Sequence, residues 1–385
     1  MKLKYILPLL ALWVMACQNS TEQTTEKQLA KADLSTSKDK SLLHVGVFDG
    51  NGAGAVSVIE TIEALKIDKG IEPYPISAAE IMNGKLDQTD VLIFPGGSGS
   101  KQLNNLGRRG QEKVKRFVRE GKGLIGICAG AYMLCSTPTY PSLKLGDVKH
   151  LDRAHYNRGR GLIEFKLNDE GLKIFPEFKG KPQFIQYYDG PIMQALGNDK
   201  SFTPLAVYVS DIHASKGAPE GLTPGKLFMY HQNVGKGRIF AIGGHAESTP
   251  GIRFMIPRMA RWVAGKELVS YDKKWIVPEK NSHEIIFDND LKKKEKDLWW
   301  KLLSEDAVTQ ITAMDSLYAM RSRPAVRWNT GLLRDDKAAV RKHAARLLQN
   351  AEYTDAYKDL QAALKTENNP EAKDSIRQVL EFLTY

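Results

Sequence analysis

Cysteine is scarce in this chain, with three residues in 385. That count excludes a disulfide scaffold, which needs dense, paired cysteines. No loop of the form G-x-x-x-x-G-K-[ST] occurs, so the sequence offers no phosphate cradle of that type. No closely spaced Cys/His pair offers a zinc site, and neither metal nor cofactor is expected. Lys and Arg outnumber Asp and Glu by 55 to 45. No basic–aromatic pattern accompanies the excess, so it reads as a solvated surface and not as a nucleic-acid footprint. Apolar residues make up 42% and charged residues 26%, the balance of a globular protein, and the length leaves room for two domains.

The longest apolar run is at the start, "MKLKYILPLLALWVMAC". Lys2 and Lys4 precede the run, and a small residue precedes Cys17, which is the layout of a secretory signal. The run is too short to span a membrane as a mature helix. "VMAC" resembles the lipobox of bacterial lipoproteins. The resemblance implies that residues 1–16 are removed, that Cys17 is the lipid site, and that several acyl chains hold the protein on a membrane. The cell envelope is the implied location. Gln18 lacks the inner-membrane-retention aspartate of some bacterial lipoproteins, which implies the outer membrane, either face. Loss of Lys2 and Lys4 lowers the formal charge from +10 to +8. Residues 17–42 are polar and read as a flexible tether.

From Leu43 onward, strand and helix signals alternate. "LLHVGVFDGNGAG" and "TDVLIFPGG" are apolar runs ending in Gly-rich loops, and "RRGQEKVKRFVREGKG" is an amphipathic helix closed by glycine. "GLIGI" is a third run, followed by Cys128. Such alternation indicates an α/β fold, a flavodoxin-like three-layer sandwich with a mostly parallel sheet, over residues 43–270. Its functional loops belong at the carboxyl ends of the strands; those ends carry "FDGNGAG", "FPGGSG" and "CAGA". Asp49 and Asn51 in the first loop bind a ligand or make a turn, and the turn is the simpler reading. "GLIEFKL", "FIQYYDG" and "LAVYVSD" read as further strands, and "GRIFAIGGHAES" as a last strand running to His245.

Residues 285–385 read as helical. Val340, Ala344, Leu347 and Leu348 share one face, Ile376, Val379, Leu380 and Leu383 another, and Tyr357, Leu360 and Leu364 form a partner face. In "NNPE", Asn369 supplies a cap and Pro370 the first helical position. The region resembles a degenerate HEAT-type helical repeat; a plain helical appendage fits the same pattern. Either offers a surface for a protein partner.

"GICAG", Gly126 to Gly130, has the G-x-nucleophile-x-G form of a strand-to-helix elbow. Unpaired N–H groups at a helix start favour negative charge, which activates a thiol held there. Cys135 lies seven residues on, roughly 10 Å along a helix, too far for a disulfide, and reads as core. A thiolate needs a base and the base an orienter. His245 stands at a strand end with Glu247 two residues later, where the carboxylate can fold back onto the ring. The alternative for Cys128 is a small buried residue in a tight turn.

"FPGG", "GICAGAY" and "GGHAES", in this order, resemble class I glutamine amidotransferase-like domains. With "FDGNGAG" and "YYDGP", the nearest form is the N-terminal domain of biotin–protein ligases. The resemblance spans about residues 43–265. It implies Cys128 as nucleophile, His245 as base and Glu247 as orienting acid, with Tyr187, Tyr188 and Asp189 lining the substrate pocket. Beside the elbow, the Ala129 and Gly97 N–H groups are the expected oxyanion donors. The function expected is cysteine-dependent hydrolysis of an amide or peptide bond in an envelope or extracellular substrate. The rivals are a non-catalytic ligand-binding or scaffold lipoprotein, and a redox-sensing thiol.

Overall fold

A computed structural model describes residues 42–198 and 201–385. The expected signal, the lipid site Cys17 and the tether before Leu42 lie outside the described residues. Leu42–Tyr385 forms one compact unit. None of the described helices is long and apolar enough to cross a membrane.

The chain opens with β1 (Leu43–Phe48), α1 (Ala55–Leu65), β2 (Ile71–Ile76), α2 (Ala78–Met82), β3 (Val91–Phe94), α3 (Gly99–Arg119), β4 (Gly123–Ile127) and α4 (Ala129–Leu134). It continues through β5 (Val148–His150), β6 (Arg160–Leu167), α5 (Asp169–Ile174), β7 (Phe184–Tyr188), β8 (Met193–Ala195), β9 (Phe202–Tyr208), β10 (Leu227–Val234) and β11 (Gly237–Ile242). After α6 (Met255–Val263) and β12 (Ile285–Ile286) come six helices: α7 (Asn289–Lys301), α8 (Ala307–Ala319), α9 (Arg323–Leu332), α10 (Ala338–Asn350), α11 (Tyr357–Thr366) and α12 (Pro370–Leu383).

The fold is mixed α/β with a C-terminal helical region. β2, β1, β3, β4 and β11 lie side by side in that order, all parallel. Beyond β11 the sheet continues antiparallel through β10, β9 and β6. β10 and β11 are joined by a hairpin, which only an antiparallel pair permits. β1, β3 and β4 are buried on both faces, so successive residues enter opposite cores. Val91, Ile93, Ile125 and Ile127 pack on one side with Met255 and Met259 of α6. Leu92, Phe94 and Leu124 pack on the other with Leu103, Val114 and Phe117 of α3.

The C-terminal helices bury a third core. Val340, Ala344, Leu347 and Leu348 meet Leu360 and Ile376, Val379, Leu380 and Leu383 there. The Asn369 side chain accepts from the Ala372 N–H at 3.0 Å and caps α12, with Pro370 in its first turn.

Candidate active site

Sheet order gathers the expected loops. β3, β4 and β11 are neighbours in register, with Phe94 beside Gly126 and Ile127 beside Ile242. The turns after these strands therefore leave the sheet together, bringing "PGG", Cys128 and "GGH" to one rim. The Cys128 N–H donates to the Ile242 carbonyl at 3.0 Å, tying the Cys128 turn to the strand that leads to His245.

Cys128 has φ 51° and ψ −102°. A non-glycine residue held there costs about 1–3 kcal/mol and persists only where its surroundings enforce it. The flanking glycines are part of that enforcement. A Cβ on Gly126 would lie 2.5 Å from the Gly130 carbonyl oxygen, and one on Gly130 would lie 2.1 Å from the Phe94 oxygen. The elbow packs too closely on itself and on β3 for any side chain at either position.

His245 Nδ1 and Glu247 Oε1 are 2.7 Å apart, both nearly wholly buried. The same carboxylate oxygen accepts from Ser57 Oγ at 2.8 Å, and Ser57 Oγ accepts from the Gly96 N–H at 3.0 Å. Ser57 thus links the "PGG" loop to the acid. The Cys128 thiol donates to the Tyr188 carbonyl at 3.2 Å. Among the described residues, His245 Nε2 has no partner in hydrogen-bond geometry. The sulfur still acts on the ring. Burial disfavours the imidazolium, but Cys128 and Glu247 outweigh it and raise His245 to about 9. Burial likewise opposes the Glu247 charge, and His245, Arg323 and Ser57 overcome it, holding the carboxyl below its usual range.

These groups border a cavity of about 770 Å³ whose wall includes Gly97, Cys128, Ala129, Tyr188, Asp189 and His245. Gly97 faces Ala53 in an isolated antiparallel bridge whose hydrogen bonds run from Gly54 to Gly96 and from Ser98 to Gly52. In such a pair the Gly97 N–H points away from Ala53. Tyr132, Tyr140 and Tyr156 widen the cavity into an aromatic cleft, with Arg153 over the Tyr140 ring at 5.5 Å. Burial, with Arg153 beside it, pushes the His150 ring in this wall down to about 4, so it is neutral at pH 7.

Asp189 has φ 51°, and its carboxylate accepts from the Gly159 N–H at 2.9 Å. Burial raises that carboxyl. Tyr187 departs from the expectation. It is fully buried in the core, its hydroxyl donates to the Gly190 carbonyl at 2.8 Å, and it does not line the cavity. Neighbouring strand residues face opposite ways, so only Tyr188 of the pair reaches the cleft. Cys135 is wholly buried, its thiol donates to the Ala131 carbonyl, and burial pushes it up to about 12.

Four residues at this corner escaped the sequence reading. Ser57, Glu60 and Thr61 form a buried polar stripe on α1, at the i, i+3, i+4 positions where an apolar face belongs. That stripe was readable. Arg323, from α9, was not: it lies far along the chain in "RSRPA", yet its guanidinium ion-pairs with Glu60 and stands 3.8 Å from Glu247. Among the described residues, Asp211, His213 and Glu220 have ligand atoms within 4.8 Å of one another, largely exposed and outside the cavity wall.

Known proteins resemble the same part of the chain. Residues 43–147 match the family described as biotin-protein ligase, N terminal. Over 135 residues the chain is 32% identical to the pyridoxal 5'-phosphate synthase subunit PdxT of Anoxybacillus flavithermus. Over 122 residues it is 29% identical to the PdxT subunit of Geobacillus kaustophilus. These matches cover 34% and 30% of this chain and 65% and 62% of the relatives, so the chain spans just under two thirds of their length. A solved ThuA-like protein from Parabacteroides merdae aligns with 61% of this chain and 99% of its own, at 14% identity and a TM-score of 0.41. The family match and the PdxT relatives support a class I glutamine amidotransferase-like domain in this chain.

Proposed function

We propose that this chain, through its class I glutamine amidotransferase-like domain, is a cysteine-dependent amide or peptide hydrolase. One observation carries the reading: a strained Cys128 shares a cavity wall with His245, whose Nδ1 lies 2.7 Å from Glu247. In this reading the proton shared between Cys128 and His245 lies on His245 Nε2, as the ring's raised value favours, and Cys128 Sγ leaves the Tyr188 carbonyl and attacks the substrate carbonyl carbon as the thiolate. The carbonyl π pair moves onto oxygen, where the Gly97 and Ala129 N–H groups donate to it. Collapse breaks the C–N bond, and the His245 proton leaves with the amine. His245 then deprotonates a water, which attacks the thioester. The acid departs, sulfur leaves as the thiolate, and the proton taken from water stays on His245. Throughout, Glu247 accepts from Nδ1–H and fixes the tautomer.

The cavity volume of about 770 Å³ falls in the range of sites for drug-sized ligands, about 300–1,000 Å³. That is more room than a lone amide side chain needs, and Tyr188 and Asp189 would contact the rest of the substrate. The same reading keeps the lipid on Cys17 as membrane anchor, an envelope or extracellular substrate, and HEAT-like C-terminal helices that dock a partner. The test is a screen of primary amides and peptides, following ammonia or amine release by wild type and Cys128→Ala. Turnover lost in the variant supports the proposal. A substrate that binds without turnover, or turnover indifferent to Cys128, sinks it and leaves a ligand-binding module.

A further inference from the structure

The C-terminal helical region meets the site through one turn. After α8, Arg321 reverses the chain with φ 57°. Its carbonyl accepts from Gln186 Nε2 at 3.3 Å, and the Gln186 carbonyl in turn accepts the His245 N–H at 2.8 Å. Arg323 then opens α9 and lies over the Tyr188 ring, 5.8 Å from its centroid. Its side chain is 15% exposed and lines the cavity. It pairs with Glu60 and stands 3.8 Å from Glu247 Oε1.

Charge balance gives this contact its meaning. Glu60 and Glu247 are two buried carboxylates at one corner. Ser248 donates to Glu60, and Ser57 donates to Glu247. Hydroxyls satisfy lone pairs but do not cancel charge. Carboxylates that share a site without a cation drive one of their number to take up a proton. A protonated Glu247 could no longer support a His245 imidazolium. Arg323 is the cation placed between them.

We infer that Arg323, supplied by the C-terminal helical region, is a positioning residue that holds Glu247 as the carboxylate acceptor of His245 Nδ1–H. The inference rests on the proposed roles of Cys128, His245 and Glu247. It makes the helical region part of the site, which is incomplete without it.

Besides Arg323 of α9, the groups facing Glu247 come from four elements. α1 brings Ser57 and Glu60. The loop after β11 brings His245 and also Arg253, whose Nε donates to the Glu247 backbone carbonyl at 3.1 Å. Arg253 is otherwise committed to the Glu352 carbonyl and Thr354. Tyr188 of β7 lies under Arg323, and Cys128 of the β4 turn acts through the ring. Loss of Arg323 therefore leaves the Glu247 carboxylate paired with His245 and without the guanidinium that stood 3.8 Å away.

The test is the pH profile of Cys128 alkylation by iodoacetamide, read by mass spectrometry on the Cys128 peptide, separate from Cys17 and Cys135. Arg323→Met should move the acid limb to higher pH by about one unit. Arg323→Lys, which keeps the charge, should restore most of that shift. A role in packing alone would lower the melting temperature and leave the limb in place. If Arg323→Met does not fold, Glu60→Gln gives the converse. Freed of its partner, Arg323 turns to Glu247, and the limb should move to lower pH. An unmoved limb in the folded variant overturns the inference. His245→Ala separates the two ideas: a wild-type rate indifferent to His245 removes the underlying reading, whereas a His245-dependent rate with an unmoved Arg323 limb removes only the part given to Arg323.

Discussion

Replacing Cys128 by alanine should make His245 easier to deprotonate. The ring is fully buried, which alone would favour its neutral form, yet it is raised from 6.5 to about 9. That rise corresponds to on the order of 3 kcal/mol of preference for the charged ring. Cys128 is the largest of the influences that raise it, Glu247 is next, and Arg323 acts against them. Removal of the sulfur leaves burial and Arg323 untouched, so the ring should fall by at least about one pH unit. Histidine ring NMR of wild type and Cys128→Ala from pH 5 to 10 makes the comparison. The raised value also has a stability consequence. Its contribution is present in full below about 6.5 and is lost as pH rises through about 9. In Cys128→Ala that upper limit should move down, which denaturation across the same range would detect. An unchanged midpoint in the variant, or a wild-type ring titrating near 6.5, would refute the coupling.

Gly130→Ala should destabilise the fold by about 1–3 kcal/mol, because its Cβ would sit 2.1 Å from the Phe94 oxygen; urea denaturation checks this. Gly96→Ala would place a Cβ 2.5 Å from His245 Cε1, and displacing that ring should cost about 100-fold in turnover, with fold retained by circular dichroism. Asn369→Ala removes the α12 cap and should cost about 1 kcal/mol in thermal unfolding without touching Cys128 reactivity. Glu247 gives an acid limit. Its carboxyl is held below the usual range, so its stabilisation is present above about pH 4.5 and lost as pH falls through the lowered value. Glu247→Gln should flatten that acid loss in a pH-dependent melting series.

Four of the five parallel strands were legible because buried strands read as apolar runs, and each of those runs ended in a Gly-rich turn; β2, "IEPYPI", carries no such run and went unread. "VLIF", "GLIGI" and "GRIFAI" gave the three strands whose ends form the site. What brought them together was sheet order, which local patterns do not encode. Of the antiparallel extension, β6, β7 and β9 were visible as strands but not as a direction, since pairing depends on connections formed at long range, and β10 was not read from the sequence. Tyr187 and Tyr188 show a finer limit. The motif placed both at the cavity, whereas strand alternation permits only one, and one residue of register decides which. Arg323 was invisible for another reason. Its partner Glu60 is 263 residues away, and an arginine in a helix start reads as solvent-facing until the fold buries it. The cap at Asn369, by contrast, is local chemistry, and the four residues "NNPE" carried it whole.

The central claim is that Cys128 forms a covalent acyl intermediate with help from His245. Rapid mixing of the protein with an activated p-nitrophenyl ester tests it directly. A stoichiometric burst of nitrophenolate should appear, with the acyl mass on the Cys128 peptide, absent from Cys128→Ala and strongly slowed in His245→Ala. No burst, a burst that survives Cys128→Ala, or label on Cys135 in its place would contradict the account.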